Sequence, residues 1–173
     1  MVVDAAPASV VVKRPGVGVT GQSMGAASTT ISAANSQRYT PLVRFIESVD
    51  TGKAVALYVS AYPLFQQAYE ELGYPRRYFN DRLVTVIDHL LATPTASDGL
   101  GVNLTEVKGP IAATRPWVRY EFSDATLESL SSGQKMMLRA GPDNQARLKI
   151  KLQEIRRQIT GAGLTKPAGT AKP

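Results

Sequence analysis

The chain has 173 residues, of which 43% are apolar and 20% charged, a composition typical of one globular domain and not of a disordered or collagen-like chain. It contains no cysteine, which excludes disulfides, thiolate catalysis and cysteine-ligated metal centres. Its start lacks the basic and apolar regions of an export signal, and its longest uncharged stretch, residues 17–37, is too polar to span a membrane.

The net charge of +6 is concentrated near the C-terminus. Residues 135–173 carry nine basic and two acidic side chains, whereas the rest of the chain is close to neutral. A basic segment of this kind could attract anionic lipid, nucleic acid or an acidic protein partner.

Residues 1–36 are predicted to form a flexible or marginal β segment. Val10–Val12 and Val17–Thr20 are β-prone, and Arg14-Pro-Gly16 between them is typical of a turn. We expect a marginal hairpin followed by a flexible linker.

Helical periodicity begins at Thr40-Pro41, which is typical of a helix N-terminus, and continues until Asp50-Thr-Gly52. A second helix is predicted over Lys53–Leu72. Pro63 should kink or break it, because proline removes a backbone hydrogen bond. The predicted buried face of this helix consists of Ala54, Tyr58, Ala61, Tyr62, Phe65, Ala68, Tyr69 and Leu72.

The next elements combine a helix with a small sheet. Asn80 is predicted to cap a third helix, which ends at Thr93-Pro94. Between Leu104 and Phe122, alternating apolar residues and a turn at Lys108-Gly109 predict two or three short strands.

Three helices are predicted in the C-terminal part. Ser123 is expected to cap a short helix, and Ser131 with Gln134 matches the capping box of the next one. The last helix is predicted over Pro142–Thr160.

These elements predict a mainly α fold, a compact bundle of about six helices with a small two- or three-stranded β element. The helical domain is expected over residues 37–160. Residues 161–173 have low complexity and are expected to be disordered.

Several short sequence words occur in one order along the chain: Tyr39-Thr-Pro-Leu-Val43, Ala61-Tyr-Pro-Leu-Phe-Gln-Gln-Ala-Tyr69, Glu71-Leu-Gly-Tyr-Pro75, Phe79-Asn-Asp-Arg-Leu83, Ile87-Asp-His-Leu-Leu-Ala-Thr-Pro94, Gly133-Gln-Lys135 and Gly141-Pro-Asp-Asn144. With these words, the chain resembles an uncharacterised bacterial family, domain of unknown function 3014. The likeness runs from about Asn35 to Ile159. It implies a mostly helical domain that, in longer members, follows an N-terminal membrane-spanning helix. The resemblance therefore implies the periplasmic side of the inner membrane, and the cytoplasm is the alternative.

Two patterns that resemble enzyme motifs carry little weight. Gly16-Val-Gly-Val-Thr-Gly21 matches the dinucleotide-binding pattern, but Lys13-Arg-Pro15 breaks the strand that should precede it. His89 is the only histidine and is predicted to be solvated, because a metal site needs several converging ligands. A hydrolytic activity would depend on His89. We expect a non-enzymatic protein with no catalytic residue, cofactor or metal.

The aromatic row on the second helix has two interpretations. Tyr58, Tyr62, Phe65 and Tyr69 recur at helical spacing, which is typical of core packing. The same residues could form a groove for a peptide or a glycan, which a kink at Pro63 would open.

The last helix carries a predicted interaction surface. With Leu152 facing the core, Arg147, Lys151 and Arg157 face outward around Ile150. The alternative is a solvated basic face with one stray isoleucine. Nucleic-acid binding is disfavoured, because no aromatic residues interleave with the basic ones.

The favoured function is a non-enzymatic interaction or scaffold domain in a bacterial envelope assembly, with a protein partner. The alternative is a peptide- or glycan-binding module around Tyr58, Tyr62 and Tyr69. Membrane association would come from an N-terminal anchor upstream of this chain or from the basic C-terminal helix.

Overall fold

The computed structural model describes residues 10–12, 29–95, 97–105 and 120–162. Within these residues the chain forms seven helices and four short strands, so the predicted mainly α fold with a small β element is confirmed. Residue contacts divide the chain into two compact units, Met1–Pro41 with Pro94–Gln145, and Leu42–Thr93 with Ala146–Pro173.

The described elements are short strands and helices of very different length. The strands are β1 (Val10–Val12), β2 (Thr29–Ile31), β3 (Val102–Leu104) and β4 (Tyr120–Phe122). The helices are α1 (Ala34–Gln37), α2 (Thr40–Ser48), α3 (Thr51–Glu71), α4 (Phe79–Leu91), α5 (Ala125–Glu128), α6 (Ser132–Arg139) and α7 (Pro142–Gly161). None of these helices combines the length and the apolar character needed to cross a membrane.

The strands form two antiparallel pairs in the first unit. β1 pairs with β2, β3 pairs with β4, and a single bridge joins Thr30 to Gly101. Val10–Val12 is a strand as predicted, but its partner is β2. The predicted partner Val17–Thr20 lies outside the described residues, as do the turn at Lys108-Gly109 and most of the tail predicted to be disordered.

The core of the first unit lies between β3, β4 and α6. Val102, Phe122 and Leu138 contact one another and are each at most 3% exposed. Val102 and Phe122 are register partners, so their side chains lie on the same face of the sheet. Half-buried apolar side chains cover this centre, namely Ile31, Leu100, Tyr120, Leu127 and Leu130.

Side-chain caps set where the short helices begin. Ser131 and Gln134 form the predicted capping box of α6. The predicted cap of α5 is wrong by one residue, because Asp124 and not Ser123 accepts the hydrogen bond from the backbone of the first turn. Asparagine side chains hold α1, a helix that the sequence pattern did not predict. Asn35 Nδ2 donates to the carbonyl of Arg139 at 3.0 Å, and Asn144 Nδ2 to that of Ser36 at 2.9 Å.

Glu128, at the end of α5, accepts two hydrogen bonds. Its Oε1 accepts from Lys135 Nζ at 2.5 Å and its Oε2 from the backbone N–H of Phe122 at 2.7 Å. The bond from Lys135 and then the one from Phe122 lower the pKa of Glu128. The ionised carboxylate therefore links α6 to β4.

We expect the variant Glu128→Gln to make the protein less stable at neutral pH and less sensitive to acid. The folded-state pKa of Glu128 is below its unfolded value of about 4.3, so the carboxylate stabilises the fold above that value. This contribution is lost as the pH falls through the folded-state pKa. Urea midpoints from neutral pH to about pH 3 measure the effect, with exposed Glu121→Gln as the matched control. An unchanged pH profile for E128Q would contradict the expectation.

In the second unit, α3 and α4 begin earlier than the sequence predicts. Asp50 Oδ1 accepts a hydrogen bond from the Lys53 N–H at 2.9 Å, so α3 begins at Thr51. The prediction that Asn80 caps α4 is wrong, because Asn80 lies inside the first turn of the helix. Gln66 Oε1 on α3 accepts a hydrogen bond from the Phe79 N–H at 2.9 Å and so takes the place of a cap side chain.

α3 continues through Pro63 without a break, so of the two outcomes predicted there the break does not occur. The core of the second unit lies between α3, α4 and α7. Val55, Ile87 and Ile159 meet at its centre. Half-buried residues surround them, namely Tyr58, Val59, Leu83, Val84, Leu91, Leu152 and Ile155.

Candidate interaction surfaces

The outer face of α3 carries a row of exposed apolar residues. Leu57, Leu64 and Leu72 are 71%, 70% and 76% exposed, and Leu72 is the helical C-cap residue that follows Glu71. Ala61 and Ala68 lie between them at helical spacing, Ala61 half-buried and Ala68 exposed. We call these five residues the α3 stripe. A soluble helix does not normally leave three large leucines on one face in contact with water.

The predicted buried face of α3 is partly wrong. Ala54, Phe65, Ala68 and Leu72 were expected inside and are exposed. The side toward α4 and α7 instead includes Val55, which is buried. The physical reason is that apolar residues cover more than half of the circumference of α3, so helical periodicity alone leaves two faces to choose from.

The aromatic residues of the predicted groove pack against one another. Ring centroids of Tyr58 lie 5.9 Å from Tyr62 and 5.7 Å from Phe65. Phe79 on α4 stacks on Phe65 at 5.5 Å and meets Tyr69 edge-on at 5.8 Å. These distances are typical of aromatic pairs that bury each other's surface.

Tyr58 also makes a polar contact within this cluster. Its hydroxyl donates to Oδ1 of Asn80 at 3.1 Å. Burial, and to a smaller extent the neighbouring Tyr62, raises the pKa of Tyr58 to about 12. Asn80 is fully buried, and its Nδ2 has no partner among the described residues, so Tyr58 supplies a hydrogen bond that its side chain would otherwise lack.

We expect Tyr58→Phe to lower the free energy of unfolding by about 1–3 kcal/mol, because it leaves a buried amide oxygen without a donor. Urea unfolding followed by circular dichroism measures this change. Tyr74→Phe is the matched control, since Tyr74 is 47% exposed, and should change the free energy by less than about 0.5 kcal/mol. Equal effects of the two substitutions would contradict the role assigned to Tyr58.

A cleft of about 430 Å³ lies beside the loop between α3 and α4. Gln66 Nε2 donates to the carbonyl of Arg77 at 3.0 Å and so attaches this loop to α3. In the part of the chain that the structure describes, the three arginines of the cleft form no ion pair with a carboxylate. We call it the arginine cleft, and it is lined by Tyr69, Arg76, Arg77, Tyr78, Asp81, Arg82 and Thr85.

A smaller apolar hollow of about 130 Å³ lies between α2, α3 and α7. Phe45, Val49 and Ile155 are among the residues that line it. Lys151 lines it too and is only 9% exposed, which corrects the prediction that this side chain faces outward. Its stem is buried because its Nζ donates to the carbonyl of Val49 at 2.6 Å.

The other predicted surface residues of α7 differ in their surroundings. Arg147 is half-buried and forms an ion pair with Glu47, and the bond from Arg147 lowers the pKa of that glutamate. Ile150 is 66% exposed and Arg157 is exposed. Only part of the predicted surface around Ile150 is therefore available to solvent.

The residues considered for catalysis or cofactor binding do not converge. His89 is exposed on the last turn of α4, and the adjacent Asp88 forms an ion pair with Arg156. Throughout the described ranges, no three histidine, cysteine or acidic residues are grouped so that they could hold a metal ion. Gly16-Val-Gly-Val-Thr-Gly21 lies outside those ranges.

These features define the protein as a mainly α domain with large apolar residues exposed along one long helix. A family model described as "Protein of unknown function (DUF3014)" matches residues 6–156, and the chain belongs to this family. The resemblance inferred from the sequence words is therefore confirmed. No curated protein and no solved structure matches the chain.

Proposed function

We propose that the protein is a non-enzymatic interaction or scaffold domain that binds another protein through the α3 stripe. The supporting observation is the exposure of Leu57, Leu64 and Leu72, each at least 70% in contact with solvent. Burying a leucine side chain contributes about 1.5–3 kcal/mol. If the partner contributes three apolar side chains of similar size, the burial of all six would offset an association cost of about 4–15 kcal/mol.

A bacterial cell envelope is the location that we propose for this interaction. It is supported by the family resemblance, which implies an N-terminal membrane-spanning helix in longer members. The basic segment 135–173 adds an electrostatic attraction to anionic lipid headgroups. Fractionation of cells that produce the protein at its natural level would test this location, with recovery in the cytosolic fraction at low salt as the opposing result.

The interaction itself is tested by photo-crosslinking in the native cells. A photoreactive amino acid replaces Leu64 in one variant and Ile150, a similarly exposed isoleucine on α7, in the other. We expect a discrete adduct from position 64 that is lost when Leu57 and Leu72 are changed to lysine. The absence of an adduct at position 64 would overturn the proposal. An adduct at position 150 alone would indicate that the interaction surface lies on α7 instead.

A second candidate function, binding of an acidic peptide, is favoured by the arginine cleft. Arg76, Arg77 and Arg82 face a single carboxylate there, and arginine binds carboxylates with paired hydrogen bonds. Of the predicted groove residues, Tyr69 lines this cleft. A fluorescent peptide rich in aspartate should bind the protein and lose affinity about tenfold in Arg76→Ala/Arg82→Ala. Arg44→Ala, at an exposed position of α2, is the control.

Three outcomes decide this second candidate. Peptide binding that depends on Arg76 and Arg82 supports it, whereas binding unaffected by their removal overturns it. Binding of an anionic oligosaccharide in preference to the peptide would also overturn it and would favour a glycan instead.

A further inference from the structure

We infer that the α3 stripe binds the α3 stripe of a second copy of this chain, with the two helices antiparallel about a two-fold axis. The inference rests on the proposed function and names the partner at the same surface. A two-fold interface requires one patch to be complementary to itself. The stripe, all of whose residues lie in one compact unit, meets this requirement in spacing, in side-chain size and in charge.

Four of the five stripe residues are placed symmetrically about the midpoint between Leu64 and Phe65, and the counterpart of Leu64 is the neighbouring Phe65. Leu57 and Leu72 lie at equal distances on either side of that midpoint, and so do Ala61 and Ala68. In an antiparallel pair centred there, each outer leucine of one copy meets the opposite outer leucine of the other. The contact of Leu57 with Leu72 of the second copy therefore occurs twice, once at each end of the pair.

Side-chain size follows the same pattern. Large side chains at 57, 64 and 72 alternate with alanines at 61 and 68, so that levels where leucine faces leucine alternate with levels where Ala61 faces Ala68 and the two helices can approach closely. Phe65, 42% exposed, borders the stripe at its centre. The stripe is narrow and follows α3 over about four turns, which is the shape of a helix-to-helix seam and not of a ligand pocket.

The charges beside the stripe favour the antiparallel orientation. Lys53 and Glu71 are about five helical turns apart and therefore lie on the same flank of α3. Gln67 Nε2 donates to Glu71 Oε1 at 2.9 Å, which keeps the carboxylate on that flank. An antiparallel pair brings Lys53 of each copy to within about 8 Å of the level of Glu71 in the other, and the side chains can span that distance. A parallel pair would place Lys53 level with Lys53 and Glu71 level with Glu71, about five turns apart, so that no lysine would lie near a glutamate of the other copy.

Disulfide trapping of the purified chain tests the orientation, because the natural sequence contains no cysteine. The variants Ala61→Cys and Ala68→Cys are mixed under mild oxidation. We expect the mixed 61-to-68 crosslink to exceed either self-crosslink several-fold. Dominant 61-to-61 and 68-to-68 crosslinks would overturn the antiparallel arrangement, and no crosslink at all would overturn pairing through this stripe.

Light scattering and sedimentation of the unmodified chain test the association itself. The mass should rise from monomer to dimer between micromolar and submillimolar concentration, and Leu64→Lys should abolish the rise. Ile150→Lys is the matched control, at a similarly exposed position on α7, and should leave the dimer intact. Lys53→Glu and Glu71→Lys should each weaken association by about fivefold, and the double variant should restore it. A monomer at all concentrations, or no rescue in the double variant, would overturn the inference.

The two proposals fail in distinguishable ways. If the purified chain is monomeric but position 64 crosslinks to a different protein in cells, the second-copy inference is overturned and the proposed interaction function remains supported. If the purified chain is monomeric and position 64 forms no adduct in cells, both are overturned.

Discussion

Replacing Phe122 with alanine is expected to lower the free energy of unfolding by about 3–5 kcal/mol, the range for deleting a buried phenylalanine. Phe122 is 3% exposed and contacts Val102 and Leu138 at the centre of the first unit. The guanidinium of Arg139 also lies 5.2 Å from the centre of its ring, and this cation–π contact is lost as well. Urea unfolding monitored by circular dichroism measures the change.

Phe45→Ala provides the matched control, since it deletes the same side chain at a position that is 66% exposed. We expect this control to cost less than about 1 kcal/mol. If both variants were destabilised equally, the assignment of Phe122 to a closely packed core would be wrong.

Gly141→Ala is expected to cost about 2–4 kcal/mol for two reasons. The backbone of Gly141 has φ +86°, a conformation that strains any residue with a Cβ atom. An added Cβ would also lie only 2.6 Å from Cβ of Ser36 on α1. Real Cβ atoms do not approach that closely, so one of the two segments must shift. Thermal or urea unfolding measures the loss.

Two further variants separate the cost of the positive φ angle from the cost of the clash with Ser36. Gly73 has φ +99° but nothing within 4 Å of an added Cβ, so Gly73→Ala should cost only about 1–2 kcal/mol. Ser36→Gly removes the atom that Gly141→Ala would meet, so Gly141→Ala should cost less in that background. If the changes in the free energy of unfolding caused by Ser36→Gly and Gly141→Ala were additive, the proposed clash between the two Cβ atoms would be refuted.

The variants that test function replace exposed side chains, whereas those that test stability replace or crowd buried ones. Leu64 is 70% exposed, so Leu64→Lys should leave the free energy of unfolding of the monomer within about 0.5 kcal/mol of its original value. A loss of association without a loss of stability would therefore report on the α3 stripe itself.

The sequence predicted helices and caps best where the decisive chemistry is local. Ser131 and Gln134 lie within one turn of each other, so their capping box could be inferred without knowing the fold. The start of α4 could not be inferred, because Gln66 on another helix replaces the cap that Asn80 was expected to supply. α1 was missed for the same reason, since Asn35 and Asn144 hold it through carbonyls distant in sequence.

Surface residues were harder to predict than helices. The pattern of α7 predicts that Lys151 points outward. In the structure its Nζ donates a hydrogen bond to the carbonyl of Val49 at 2.6 Å, and its side chain lines an apolar hollow. Arg76, Arg77 and Arg82 carried no recognisable motif, and they line one cleft only because the loop after α3 brings them together.

The fold class and the helix limits that caps define, such as the start of α6, follow from residues that act on their immediate neighbours, whereas the family follows from the short sequence words. The packing of whole elements decided which side of α3 is covered, because its apolar residues suit two faces equally and only contact with α4 and α7 selects between them. The leucines left outside by that packing are the basis of the function proposed for this protein.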